Sequence, residues 1–339
     1  DLSVFIAGKL ELSEIQQKNV RRIAELSKFD LETQLVQEFP ELQGLMGENY
    51  AMLKNEDAVV CRGIRQHYYP RNAKDFLPED PESVPAALAD KLDLLTTAFS
   101  LNMIPSGAAD PYALRRTAQG ITQLILGLRL PLDLQELTSA AVRLLDEQQD
   151  LALERTKLQN DLLDFLLQRQ RWFMQERGIR YDLIDAVLKT PAIILSSQEK
   201  TASPALAIEQ LSFAEFLGEH LETDMFKRSV EAIVRAGNIS SKYTDRIAEE
   251  LNASALELSE EKNFLAALQP ILNSDPQSLW SPDNYLQQLR KIEPVVTRFF
   301  EDVMVMDEDP VKCGNRLWMC QQLAQWSGRH LDLQSIVFA

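Results

Sequence analysis

MIPSGAADPYALRR, residues 103–116, divides into a chain break and a helix start, and the rest of the sequence repeats that grammar. Pro105, Ser106 and Gly107 do not continue a helix comfortably. Asp110 suits the N-cap, and Pro111 suits the first helical position, where its missing N–H costs nothing. Tyr112, Ala113, Leu114 and the pair Arg115–Arg116 then lead into an apolar helix. Spacing alone reads as a capped helix with a solvated arginine pair.

Outward from this stretch, helical periodicity dominates and strand-like alternation is scarce. Towards the N-terminus the spacing predicts helices over Leu12–Lys28, Phe29–Phe39, Val59–Tyr68 and Ser83–Ser100. Phe39-Pro40 and Tyr69-Pro70 close two of them, because the residue before proline resists the α region. Residues 70–83 hold three prolines and several acids and read as a surface loop. Towards the C-terminus, Pro111–Leu130 is followed by helices over Thr138–Gln148, Leu158–Arg177, Tyr181–Leu188, Ala205–Leu217, Thr223–Ala236, Ser259–Leu272, Pro282–Val303 and Pro310–Ser327. Gly178 reads as a helix end, Thr190–Ser203 as a loop, and Gly237–Asn238 as a break. Helices lengthen and charge density rises beyond Leu132. This predicts an all-α chain of two helical modules, 1–132 and 133–339.

Composition bounds the function. The 339 residues give room for about two domains. Apolar content of 45% and charged content of 25% are ordinary for a folded soluble chain. No apolar run is long enough to span a bilayer. Asp1 opens the chain without a charged-then-apolar leader, which reads as a processed chain or a fragment. Cys61, Cys313 and Cys320 lack CxxC spacing and read as buried thiols of a reducing, cytoplasmic compartment. A net charge of −16 argues against broad non-specific nucleic-acid binding, which needs a basic surface to displace counterions. One basic face on an acidic body remains open.

Catalytic signatures are missing. There is no glycine-rich phosphate loop, no GxSxG elbow, and no nucleophile with an evident base. The basic clusters are more informative. Arg115, Arg116 and Arg129 share the acid-free stretch 112–132. Arg169 and Arg171 flank Trp172–Phe173, a pattern that stacks on unpaired bases or, alternatively, packs and salt-bridges. Lys227, Arg228, Arg235 and Lys242 surround Asn238, with Glu231 placed to pair within the helix. Arg290, Lys291 and Arg298 form a weaker set.

Long blocks carry a resemblance. FPELQGLMGENYA (39–51), ALADKLDLL (87–95), MIPSGAADPYALRR (103–116), DLLDFLLQRQRWFMQERGIRYDLIDAVL (161–188), FKRSVEAIVRAGNIS (226–240) and FFEDVMVMDEDPVKCGNRL (299–317) resemble, in order, the β subunit of bacterial-type tetrameric glycyl-tRNA synthetase. The resemblance implies the C-terminal half of a chain about twice as long. It implies a degenerate HD-type helical domain, then a DALR-like anticodon-binding bundle. It implies an α subunit partner in an α2β2 heterotetramer, glycine-specific tRNA as substrate, and neither DNA nor membrane. It also implies that ATP and Mg2+ serve aminoacylation at the α-subunit active site, with no catalytic residue and no cofactor in this half. The Lys-Arg pair at 227–228 falls where the anticodon-binding domain carries one.

The sequence departs from a working HD hydrolase. Such enzymes hold divalent metal with a His, a His-Asp dipeptide and a later Asp. No His-Asp dipeptide occurs here, and His67 stands alone in the first 200 residues. Asp90 or Asp93 stands where the last ligand would. The expectation is a domain that kept the fold and lost the metal. The alternatives are an HD-type phosphohydrolase, or a helical scaffold that only docks the α subunit.

Overall fold

Ser83–Ser100 gathers the first half of the molecule around itself. Nearly every turn of this helix, α6 below, is buried, including Val84, Ala87, Leu88, Leu92, Leu95 and Phe99. In the computed structural model, which describes residues 1–105, 110–149, 154–189, 207–273, 281–329 and 331–338, the described residues form α-helices with short 3-10 turns and no strand. Two compact units divide the chain, Asp1–Glu176 with Leu206–Ile208, and Arg177–Ala205 with Glu209–Ala339.

The first unit contains α1 (Leu2–Lys9), α2 (Glu14–Leu26), α3 (Gln34–Glu38), α4 (Leu45–Leu53), α5 (Ala58–Gln66), α6, α7 (Leu114–Gly127), α8 (Leu134–Gln149) and α9 (Arg155–Glu176). Helices α1, α2, α5, α7, α8 and α9 all pack on α6. A core of Ile23, Ala51, Val60, Cys61, Ile64 and Ala86 joins α2, α4, α5 and α6. Ser13 and Gln16 form a capping box that starts α2. Gly63 lets α2 lie close to α5: a Cβ there would fall 2.3 Å from Ile23 Cδ1. Phe99 and Phe165 meet edge to face, with centroids 5.1 Å apart, where α6 meets α9.

The second unit contains α10 (Tyr181–Leu188), α11 (Ala207–His220, its first residues grouped with the first unit), α12 (Asp224–Lys242), α13 (Ser259–Leu272), α14 (Pro282–Asp302) and α15 (Pro310–Gly328). Helices α12 and α13 each pack on both α14 and α15. Tyr285 of α14 stacks on Trp326 of α15 at 5.2 Å, and its hydroxyl is 2.9 Å from Ser327 Oγ. A buried ion pair locks α13 to α15, with Arg316 Nε donating to Glu261 at 2.6 Å and Arg316 Nη1 donating to Asp307 at 2.7 Å.

Several expected boundaries move. The 29–39 segment is a 3-10 turn followed by the short α3. Helix α7 begins at Leu114, not Pro111, and ends at Gly127, short of Pro131. Helix α12 runs through Gly237–Asn238 to Lys242 instead of breaking at Ala236, because packing on α15 outweighs the propensity cost of one glycine. The all-helical expectation holds. The packing division lies at Glu176–Arg177, whereas charge density and helix length change near Asp133. Ser106, Gly107 and the loop expected over Thr190–Ser203 lie outside the described residues.

Candidate nucleic-acid interface

The position that the HD resemblance singles out is the first place to look for chemistry. His67 caps the end of α5 and is fully buried. Its Nδ1 lies 2.6 Å from the Ile64 carbonyl oxygen, and Nε2 has no hydrogen-bond partner among the described residues. Burial pushes its pKa down to about 4, against the pull of Asp90, so the ring is neutral at pH 7. Lys91 is buried beside it and donates to the carbonyls of His67, Tyr68 and Tyr69 at 3.4, 3.3 and 3.0 Å. An ammonium therefore sits on the carbonyl end of α5, where a cation is electrostatically favoured. Burial lowers its pKa to about 8. Asp90 pairs with Lys28, and burial raises the pKa of Asp93. Among the described residues no three His, Cys, Asp or Glu side chains are grouped to hold a metal ion.

The first basic cluster lies where α7 meets α9. Asp110 caps α7 from outside the helix, its carboxylate accepting from the N–H of Leu114 at 2.8 Å and of Arg115 at 3.0 Å. The residue at the N-cap itself is Ala113, with φ of +56°. Arg116 is exposed and Arg115 half-buried. Arg169 lies over the Phe165 ring at 5.3 Å, and its Nε is buried with no hydrogen-bond partner. Burial and then the charge of Arg115 lower the pKa of Arg169, while Asp110 opposes them. Arg115 and Arg169 are thus brought close enough to repel each other. Arg171 is half-buried, and Trp172 beside it is 36% exposed.

The second cluster is ordered by one helix. Arg228, Glu231, Arg235, Asn238 and Lys242 are exposed along one side of α12, spaced three or four apart, and the exposed Asp224 lies one turn before them. At about 1.5 Å per residue they form a line roughly 21 Å long. Arg228 does not pair with Glu231; its Nε donates to Glu293 of α14 at 2.9 Å. Arg235 lies over the Phe300 ring of α14 at 4.6 Å. Lys242 and Arg246 both lie over Tyr243, at 5.4 and 5.8 Å. Lys227 is off this line, half-buried, with Nζ 5.8 Å from the Phe338 ring centroid. Arg290, Lys291 and Arg298 are exposed on α14, and Arg298 approaches Asp302 at 3.9 Å.

Sequence spacing gathers the α12 residues but does not reveal Phe300, Tyr243 or Arg246. Phe300 is in a quoted block, yet its partner is 65 residues away, and only packing pairs them. Cations alternating with ring faces along a solvent-exposed line can hold phosphates and stack unpaired bases.

Residues 2–189 match the family model described as glycyl-tRNA synthetase beta subunit. The glycine–tRNA ligase beta subunit of Halalkalibacterium halodurans is 36% identical over 340 residues, 99% of this chain and 47% of the relative. That of Halothermothrix orenii is 36% identical over 343 residues, with 99% and 46% covered. That of Streptococcus equi subsp. zooepidemicus is 35% identical over 328 residues, with 96% and 44% covered. The chain spans about half the length of the curated relatives it matches. With more than half of its residues under the family model and nearly all aligned to these relatives, the chain belongs to the glycyl-tRNA synthetase beta subunit family.

Proposed function

We propose that this chain is the tRNA-holding part of a glycine–tRNA ligase, with aminoacylation carried out by ATP and Mg2+ chemistry at the active site of a partner α subunit. The observation that carries the reading is the line of exposed cations along α12, set in a chain of net charge −16. A chain this acidic gains RNA affinity only where cations are concentrated. In this reading residues 1–132 are an HD-like module without hydrolase chemistry, and residues 133–339 are the anticodon-binding module. Arg228, Arg235 and Lys242 contact the RNA along α12, Lys227 flanks them, and Asn238 reads a base. Arg115, Arg116, Arg169 and Arg171 provide a second set of contacts.

The mechanism is positional. Phosphate contacts fix the register of the tRNA, and base contacts select it. Holding the substrate in one register turns a diffusive encounter at a remote active site into an oriented one. Binding of glycine-specific tRNA measured between about 50 and 200 mM salt tests this. The double variant Arg235→Ala with Lys242→Ala should bind more weakly and flatten the salt slope by about 1, the contribution of Lys242. Unchanged affinity and slope, with the fold intact, would place the contact elsewhere. Co-purification with the α subunit but no tRNA binding would favour a docking scaffold.

A further inference from the structure

Several of the cations that lie over rings are also held by a second contact, and among the described residues Arg235 is not. Lys9, over Phe5, also pairs with Glu136, and Arg71, over Tyr69, also pairs with Asp75. Arg169 is held partly inside the first unit. Arg235 is exposed, has the shortest ring distance of the set at 4.6 Å, and makes no ion pair or hydrogen bond among the described residues. Glu231, one turn earlier on the same face, does not take it.

The ring beneath it is fixed from below. Phe300 meets Phe299 edge to face at 5.5 Å, and Phe299 is fully buried against Phe264 at 5.0 Å. Helices α12 and α14 run side by side in step. Arg228 pairs with Glu293 and Arg235 lies over Phe300, and both pairs are separated by 65 residues. Asn238 follows Arg235 by one turn on the exposed face. Just past the end of α14, the Met304 carbonyl accepts from the buried Arg316 at 2.8 Å, while the Met304 side chain is 77% exposed. Neighbouring backbone and ring are thus pinned, and the guanidinium rests on a rigid base.

A guanidinium plane supported on one face by a fixed ring offers its other face to a flat partner. Its charge selects a partner in a polyanion, and its planarity selects an unpaired base over a phosphate. We infer that Arg235 and Phe300 form a stacking shelf for one unpaired nucleobase of bound RNA, with the Asn238 amide one turn on reading that base's edge. This rests on the tRNA-binding reading above and adds to it. The shelf contributes through contact area and orientation, and the flanking Lys242 and Arg228 contribute through charge.

The test titrates the full 339-residue chain with a labelled anticodon stem–loop of a glycine-specific tRNA, over a range of salt. Arg235→Lys keeps the charge and removes the plane. It should weaken binding about 5- to 100-fold with an unchanged salt slope. Lys242→Ala should weaken binding and lower the slope by about 1. Replacing loop nucleotides one at a time by abasic residues should find one position that costs the wild type a similar factor and costs Arg235→Lys nothing further. Arg235→Lys binding like the wild type would overturn the shelf. So would a slope lowered by Arg235→Ala and restored by Arg235→Lys, the mark of a phosphate contact. A wild-type chain that binds no stem–loop even at low salt would instead remove the RNA-binding reading, and the shelf with it.

Discussion

His67 stays neutral inside the first unit because burial outweighs the attraction of Asp90. That has a measurable consequence. Its folded pKa, about 4, lies below the ordinary value of 6.5, so between these values the unfolded chain binds the extra proton. Its contribution to stability is whole above pH 6.5 and declines as pH falls towards 4, by about 2 kcal/mol at pH 5. Urea unfolding at pH 7, 6 and 5 should show this decline in the wild type and a shallower one in His67→Asn. Parallel curves would mean that the ring is charged, or hydrated, in the folded state. Arg316 is the second residue of this kind. It is 5% exposed and satisfies Glu261, which is 1% exposed and also accepts from the N–H groups of Glu257 and Leu258. Arg316→Met leaves a buried carboxylate without its cation and should cost about 3–5 kcal/mol of unfolding free energy. A loss below about 1 kcal/mol would show that the pair is solvated.

Helix α12 decides the site. Its run through Gly237 and Asn238 to Lys242 puts Asn238 and Lys242 on the line begun by Arg228. Gly237 is not there for space: an added Cβ meets only ordinary contacts, the nearest being Ala324 Cβ at 3.5 Å. Gly237→Ala should therefore stabilise the chain by roughly 0.5–1 kcal/mol and keep RNA affinity. Thermal unfolding checks it, and a lowered melting temperature would show that the backbone there needs glycine. How far the elements were legible follows from the same physics. Ser83–Ser100 and Ser259–Leu272 match their expected limits because periodicity and local end signals agree. Helix α1 gave no periodic signal, since apolar residues cluster along LSVFIAGK without favouring one face. The α12 break was misplaced because a Gly-Asn pair ends helices locally, whereas here the interface with α15 carries the helix on. The cations were legible as spacing. Their ring partner Phe300 was not, because nothing in a linear pattern records which helices lie side by side.

At the scale of the whole molecule, the chain is strongly acidic. In the proposed reading, a net charge of −16 repels RNA at a distance, so encounter depends on the cations of the α12 line. The salt slope should follow the number of phosphate-contacting cations removed. The two compact units each carry one cluster, Arg115 with Arg169 in the first and the α12 line in the second. The chain spans about half the length of its relatives, so the proposed aminoacylation is to be measured on the complete subunit together with the proposed α partner. The direct measurement is photo-crosslinking of glycine-specific tRNA to the complete subunit, followed by mapping of the attached peptides. Attachment within residues 224–246 and 298–304, lost in the Arg235→Ala, Lys242→Ala double variant, is the predicted result. Attachment that avoids both segments while the tRNA remains tightly bound would contradict the placement of the RNA on α12.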